Sequence, residues 1–131
     1  MAEEQRVGAP VTGFLTPPRP PHDALRGRAV QLEPLSADRH AADLFRAYDG
    51  HDRLWTYLRY GPFASPAEYH AWCAARETSA DPRFFVLRDL ASGHCGGVAS
   101  YLRIEPEDGV IEIGHICIAP EMQRSLAATE A

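Results

Sequence analysis

Residues 108–131 have the sequence DGVIEIGHICIAPEMQRSLAATEA, and this stretch decides the fold. Its first dipeptide, Asp108-Gly109, predicts a tight turn, because the pair favours hairpin connections. The next residues, Val110–Ile118, are almost all apolar apart from Glu112 and His115, which predicts a buried strand.

A strand exit and a helix start follow in the same stretch. Ala119-Pro120 ends the strand, since proline has no N–H group for a ladder hydrogen bond. From Glu121 onward the composition favours a helix. The free N–H groups of a first helical turn and the helix dipole attract anions, so the sequence predicts an anion-binding site here.

The stretch also resembles the cofactor-binding motif of the GNAT acetyltransferases, in the branch similar to the ribosomal-protein N-terminal acetyltransferases. Glu112-Ile113-Gly114-His115 matches the "E-I-G-aromatic" strand of that branch, and residues 123–131 match its "Q-G-x-G-x-x-T-E-A" loop and helix start. Arg124 and Leu126 stand where many members have glycine. The resemblance extends over Gly27–Ala131.

The resemblance implies an N-acetyltransferase that moves an acetyl group directly from acetyl-CoA, without a metal, to an amine on a protein N-terminus or a small molecule. In the family, backbone N–H groups of the loop hold the pyrophosphate, and a strand N–H polarises the acetyl carbonyl. The residues that match these cofactor-binding positions are Ile116, Ile118, Gln123, Arg124, Ser125, Leu126, Ala127 and Ala128.

Glu112 is the candidate catalytic residue. It is the one acidic residue within the apolar strand, and burial would raise its pKa into the range of a general base. The resemblance implies the same role, whereas a structural alternative has Glu112 facing solvent or pairing with an arginine. His115 should lie on the opposite face, because an odd separation along a strand reverses the side chain, so the two should not act on one atom.

The segment before residue 27 is a proline-rich leader, residues 1–26. Proline at this density excludes helices and central strands, so we expect an extended arm that is disordered or lies along the surface. A proline-rich ligand for a partner's aromatic groove is the alternative.

Residues 27–131 then form the partial transferase domain. Gly27–Leu35 alternates like an edge strand with one wet side. Ser36 is placed to cap a first amphipathic helix, which ends at Gly50. A capping box with proline at the first helical position, Ser65-Pro66-Ala67-Glu68, begins a second helix.

Three strands joined by short turns complete the predicted core. Arg83–Leu90 is apolar on both faces and should be central, and Cys95–Ile104 returns beside it with a bulge at Gly96-Gly97. With Val110–Ile118 these strands make an antiparallel meander. The predicted class is α/β (α+β), the N-terminal part of a GNAT fold with a mixed, mainly antiparallel sheet flanked by helices.

The aromatic segment between the two helices, residues 51–63, holds the candidates for acceptor contacts. By resemblance it forms part of the acceptor groove, which makes Trp55, Tyr57 and Tyr60 candidate substrate-binding residues. The alternative is that these rings simply cover the core.

Composition excludes several function classes. The chain has 131 residues and a formal net charge of −5, which gives no basic surface for nucleic acid. No apolar run approaches the roughly 20 residues that span a bilayer, and no secretory signal opens the chain. The three cysteines lack CxxC spacing, which is typical of reduced thiols in a cytoplasmic protein, and the histidines lack the spacing of a metal site.

The family continues beyond this motif into a crossover helix and a parallel strand, but only nine residues follow Met122. We therefore expect a C-terminally truncated product, a fragment, or a domain completed by a second copy. Val110–Ile118 would then be an exposed edge, which favours a homodimer through that edge. A non-catalytic remnant or interaction protein of the same fold is the alternative function.

Overall fold

A computed structural model describes residues 4–131 of the chain. The strands are β1 Leu25–Arg26, β2 Val30–Pro34, β3 Arg83–Asp89, β4 Cys95–Glu105 and β5 Val110–Ile118. The helices are α1 Ala37–Tyr48, α2 Pro66–Arg76 and α3 Leu126–Glu130, with 3₁₀ turns at Asp52–Trp55 and Pro106–Asp108. The strands pair in chain order, each antiparallel to the next, which confirms the predicted meander and fold class.

β3 lies in the middle of the sheet and is buried on both faces, as predicted. Phe84 and Val86 pack with residues of α1 and α2. Leu87, on the opposite face, packs with Val30 of β2 and with the segment around α3. The sheet is therefore covered by α1 and α2 on one face and by the α3 region on the other.

The predicted bulge in β4 is confirmed. Leu87 pairs with Gly97 while Arg88 pairs with Cys95, so Gly96 is an extra residue in β4. A Cβ atom on Gly97 would lie 3.2 Å from the carbonyl oxygen of Cys117. Glycine at this position therefore allows β4 and β5 to approach closely.

The first predicted strand begins later than expected, because its first residues form a turn that the Glu130 side chain binds. The Glu130 carboxylate accepts hydrogen bonds from the N–H groups of Arg28 (2.7 Å), Ala29 (2.6 Å) and Val30 (3.2 Å). The Gly27 N–H donates to the Val30 carbonyl at 2.8 Å, so residues 27–29 form the turn between β1 and β2, and β2 starts at Val30 and not at Gly27. The edge assignment is also wrong, because β2 lies between β1 and β3.

The helix predicted from Glu121 begins only at Leu126. The Ala119 carbonyl accepts the N–H groups of Met122 (2.9 Å) and Gln123 (3.1 Å), which forms a turn. Arg124 then adopts a φ of 58°, in the left-handed region that a helix cannot contain. The chain therefore needs seven residues after β5 before α3 can start.

The two predicted helix caps differ in chemistry. Ser36 occupies the N-cap of α1, but its side chain makes no capping bond, and its N–H donates to Nδ1 of His40 at 3.0 Å. At α2 the capping box is confirmed: Ser65 Oγ accepts from the Glu68 N–H at 3.2 Å. The Glu68 carboxylate in turn accepts from the Ala64 N–H at 2.9 Å.

The later part of the leader contacts the sheet and the loop that precedes β3. Arg19 donates to the carbonyl of Ala80 at 3.0 Å, and His22 lies 2.9 Å from the Phe84 carbonyl. The His22 ring also packs edge-on against Phe85.

All three cysteines are buried and free. None of the helices within residues 4–131 has the length and apolar composition that crossing a bilayer requires.

Candidate functional site

An irregularity in β5 shapes the candidate site. Ser100 pairs with Gly114, but two residues earlier in β4 Val98 pairs with Cys117, three residues later in β5. One extra residue therefore lies in β5 between Gly114 and Cys117. His115 adopts a φ of 51°, in the left-handed region, so the strand backbone bends at this residue.

The bulge places His115 on the same face as Glu112, which contradicts the sequence prediction. A Cβ on Gly114 would lie 3.6 Å from Glu112 Oε1, so the Glu112 side chain shares the face of Gly114, which is also the Phe84 face. The His115 ring lies 5.3 Å from the Phe84 ring on that face. Simple alternation fails because it assumes a regular strand, and His115 leaves the regular conformation.

Tyr60 holds the His115 ring in place. The Tyr60 hydroxyl lies 3.1 Å from His115 Nδ1, and the two rings stack with centroids 5.8 Å apart. The Tyr60 ring also packs against Trp72 of α2, with ring centroids 4.7 Å apart. The segment between α1 and α2 thus brings a phenol to the imidazole of β5.

Burial keeps this pair neutral. It lowers the pKa of His115, and the positive charges of Arg76 and Arg59 lower it further, while Glu112 acts in the opposite direction. Burial also raises the pKa of Tyr60 to about 12. At neutral pH the site therefore offers an uncharged imidazole and a protonated phenol.

Glu112 is not buried, which corrects the premise on which its raised pKa was predicted. Its side chain is 46% exposed, and it forms an ion pair with Arg103 Nε at 3.1 Å. This is the structural alternative that the sequence left open. A carboxylate on the face of His115 remains available to favour positive charge there.

The loop after β5 presents a run of unused backbone donors. Within residues 4–131, no hydrogen bond uses the N–H groups of Arg124, Ser125, Leu126 or Ala127. The Ala128 N–H, by contrast, donates to Ser125 Oγ at 3.2 Å. Four consecutive free amides at a helix start can bind an anion.

The other predicted cofactor residues surround this loop. Gln123 donates from Nε2 to the Ile118 carbonyl at 2.8 Å, which ties the loop back to β5. Ile116 is exposed, while Ile118 and Ala127 pack against the face that carries Met122. The structure therefore brings the predicted loop residues together at the end of β5.

Arg124 stands at a position that favours glycine. An L-residue with a φ of 58° costs roughly 1–2 kcal/mol, which glycine avoids. We expect Arg124→Gly to raise the free energy of unfolding by about 1 kcal/mol, less whatever unfolded-state entropy glycine adds. Chemical denaturation measures this change, with Arg124→Ala as the control that removes the charge and keeps the strain. A glycine variant no more stable than the alanine variant would contradict this account.

The three predicted acceptor-contact residues occupy different environments. Trp55 is buried in the core cluster with Tyr48 and Tyr69, as the alternative interpretation had it. Tyr57 is 98% exposed. Tyr60 alone among the three contacts His115.

Two functional features escaped sequence reasoning. The Tyr60–His115 contact depends on a bulge that no local residue pattern announces. Glu130, which joins α3 to the start of β2, could have been suspected from the T-E-A match, since a glutamate at a fixed motif position needs a partner.

Comparison with known proteins bears on the fold and the family. No protein-family model matches the chain, and no curated protein sequence does. Among solved structures, the chain is similar to a GCN5-related N-acetyltransferase from Brucella melitensis, with 38% identity and a TM-score of 0.87 over 92% of this chain. A GNAT-family acetyltransferase from Chromobacterium violaceum has 33% identity and a TM-score of 0.84 over 99% of this chain.

The chain has the fold of the GNAT acetyltransferases. It spans 55% of the length of the Brucella protein and 66% of the Chromobacterium protein. A Vibrio cholerae structure named for ribosomal-protein-serine acetylation shares this fold at 16% identity and a TM-score of 0.60. That likeness shows the GNAT fold alone and does not select the ribosomal-protein branch.

Proposed function

We propose that the chain is the catalytic N-terminal portion of an N-acetyltransferase that moves an acetyl group from acetyl-CoA to a primary amine, on a protein N-terminus or a small molecule. The similar solved structures are acetyltransferases, which supports acetyl transfer as the reaction class. The acceptor stays open between the two kinds of amine, and a cytoplasmic location is part of the proposal.

The observation that carries the proposal is the run of free amides at residues 124–127, in the loop that leads from β5 to α3 and in its first turn. A pyrophosphate needs several N–H donors that converge without a competing carboxylate. The Glu130 carboxylate could repel an anion, but the amides of Arg28, Ala29 and Val30 engage it. In the proposal the outer edge of β5 then receives the rest of the cofactor.

Glu112 serves this proposal as an acid–base group or as an electrostatic partner. The incoming amine must lose a proton during attack on the thioester, so a nearby basic group raises the rate. The Glu112 carboxylate is exposed and already paired with Arg103 Nε at 3.1 Å. Its position beside His115 suits it better to favour a positive charge on that ring.

A thermal melt with and without acetyl-CoA tests the proposal. At about 100 times its dissociation constant, a ligand that binds only the folded chain adds roughly 2.7 kcal/mol, which raises the midpoint by several degrees. We expect that shift, followed by CoA release when a panel of amines is added. Desulfo-CoA and free adenine are the matched ligands: the first should shift the midpoint and the second should not.

A non-catalytic interaction protein of the same fold is the second candidate. Ile111, Ile113 and Ile116 of β5 are exposed, and β5 is the last strand of the sheet. Such an edge can pair with another strand, including β5 of a second copy. A cooperative melt that acetyl-CoA does not shift would favour this candidate over the transferase.

A further inference from the structure

Tyr60 and His115 form the only described hydrogen bond that joins the aromatic segment after α1 to β5 within residues 4–131. They meet at the bulge, where the strand backbone departs from regular geometry. We infer that Tyr60 and His115 act as a dyad that takes the proton from the acceptor amine. This assignment rests on the proposed transferase function and names its proton-accepting group.

The proton relay sets the direction of the hydrogen bond between the two side chains. The dyad requires the neutral tautomer of His115 with its proton on Nε2, because Nδ1 is then the acceptor nitrogen and the Tyr60 hydroxyl donates to it at 3.1 Å. The lone pairs of the Tyr60 oxygen then remain available to an N–H group of the substrate. In this arrangement Tyr60 touches the amine, and His115 receives the proton through it.

The transfer balances without another reactant. The lone pair of the neutral amine forms the bond from nitrogen to the acetyl carbon, and the electron pair of the C–S bond leaves on sulfur. The nitrogen gives a proton to the Tyr60 oxygen while the hydroxyl proton of Tyr60 moves to Nδ1. The imidazolium then releases its proton to water, and the CoA thiolate takes one up.

The charged groups around the ring set its pH response. Arg76 of α2 and Arg59 of the aromatic segment disfavour the imidazolium, while Glu112 of β5 favours it. Tyr60 is the other titratable group in contact with the His115 ring, and Phe84 of β3 packs against the same ring. Trp72 of α2 packs against Tyr60. The rate should therefore fall as the pH drops through a His115 pKa that lies below its ordinary value of 6.5.

Single and double variants of the full chain test the dyad. General acid–base groups typically contribute a factor of about 10²–10⁴, so Tyr60→Phe and His115→Gln should each lower kcat about 100-fold. The double variant should be no slower than either single variant, because both remove one relay. Tyr101→Phe, on the opposite sheet face, and His70→Gln, exposed on α2, are matched controls and should transfer at the wild-type rate.

Two further readouts separate the dyad from a structural role. The part of the acid limb that follows the His115 pKa should disappear in His115→Gln, leaving the part set by protonation of the acceptor amine. Both variants should keep the acetyl-CoA shift of the wild-type melt. Variants that retain the shift and transfer at the wild-type rate would overturn the dyad and leave the proposed function standing. Additive losses in the double variant would also overturn it. A wild-type chain that acetyl-CoA does not stabilise, or that binds acetyl-CoA without transferring to any amine, would overturn the dyad together with the proposed function.

Discussion

Replacing Glu33 by glutamine should lower the free energy of unfolding by about 3 kcal/mol at pH 7. The Glu33 side chain is 5% exposed and receives Arg88 Nε at 2.6 Å and His40 Nε2 at 2.9 Å. Arg39 adds a third donor at 3.3 Å. A glutamine amide would turn one acceptor oxygen into a donor that faces these N–H groups, so at least one buried donor would lose its partner.

The same substitution should remove a pH dependence. The bond from Arg88, followed by that from His40, lowers the pKa of Glu33 from 4.5 to about 2. Because the folded-state pKa is depressed, the stabilisation is present above pH 4.5 and is lost as the pH falls from 4.5 towards 2. A displacement of that size corresponds to about 3 kcal/mol, which agrees with the expected effect of the mutation.

Urea denaturation at pH 7 and at pH 3 measures both effects. Asp38→Asn is the matched control, because Asp38 pairs with His70 at 2.8 Å on the surface and is 92% exposed. An exposed pair contributes roughly 0–1 kcal/mol, so the control should change stability little at either pH. Equal losses in the two variants would show that the buried cluster is no stronger than a surface pair.

This cluster also shows where sequence reasoning reaches its limit. Sequence patterns predicted β2 to β5 and both long helices, since burial of one face imposes the periods of 2 and 3.6. They did not predict β1, which lies within the segment assigned to the proline-rich leader. The patterns could not show that Glu33 of β2 meets Arg88 of β3 and His40 of α1, because that meeting depends on register. Sequence reasoning treated the polar side of the first strand as solvent-facing, whereas that side carries the buried carboxylate of Glu33.

The same limit applies to the predictions made for the candidate site. The anion loop was predicted from a local signal, the strand exit followed by helical composition. That signal placed the helix start at Glu121, whereas α3 begins at Leu126, and anion binding by the loop stays a prediction. The face of His115 was predicted wrongly because one extra residue in β5 reverses the alternation. Such a bulge is set by pairing with β4, so it is a tertiary event that a single strand's sequence does not contain.

Replacing Leu126 by aspartate should weaken acetyl-CoA binding at least about tenfold, an effect that tests the anion loop without disturbing the fold. Leu126 is 82% exposed, opens α3 and follows the free amides of Arg124 and Ser125. Ala128 is a poorer choice, because it packs against the Met122 cluster. Two like charges about 4 Å apart repel by roughly 1 kcal/mol in water and about 4 kcal/mol near a protein surface.

The aspartate substitution distinguishes charge repulsion of the ligand from a loss of folding. A carboxylate in the first turn of a helix is favourable towards the helix dipole, so the melting midpoint without ligand should stay equal or rise. Leu126→Asn has the same shape without the charge and should bind acetyl-CoA as the wild type does. Calorimetry at low and high salt completes the test, since screening should restore part of the aspartate variant's affinity. Equal affinities of the aspartate and asparagine variants for acetyl-CoA would show that the pyrophosphate does not bind beside α3. The free amides of the loop would then not be a pyrophosphate site.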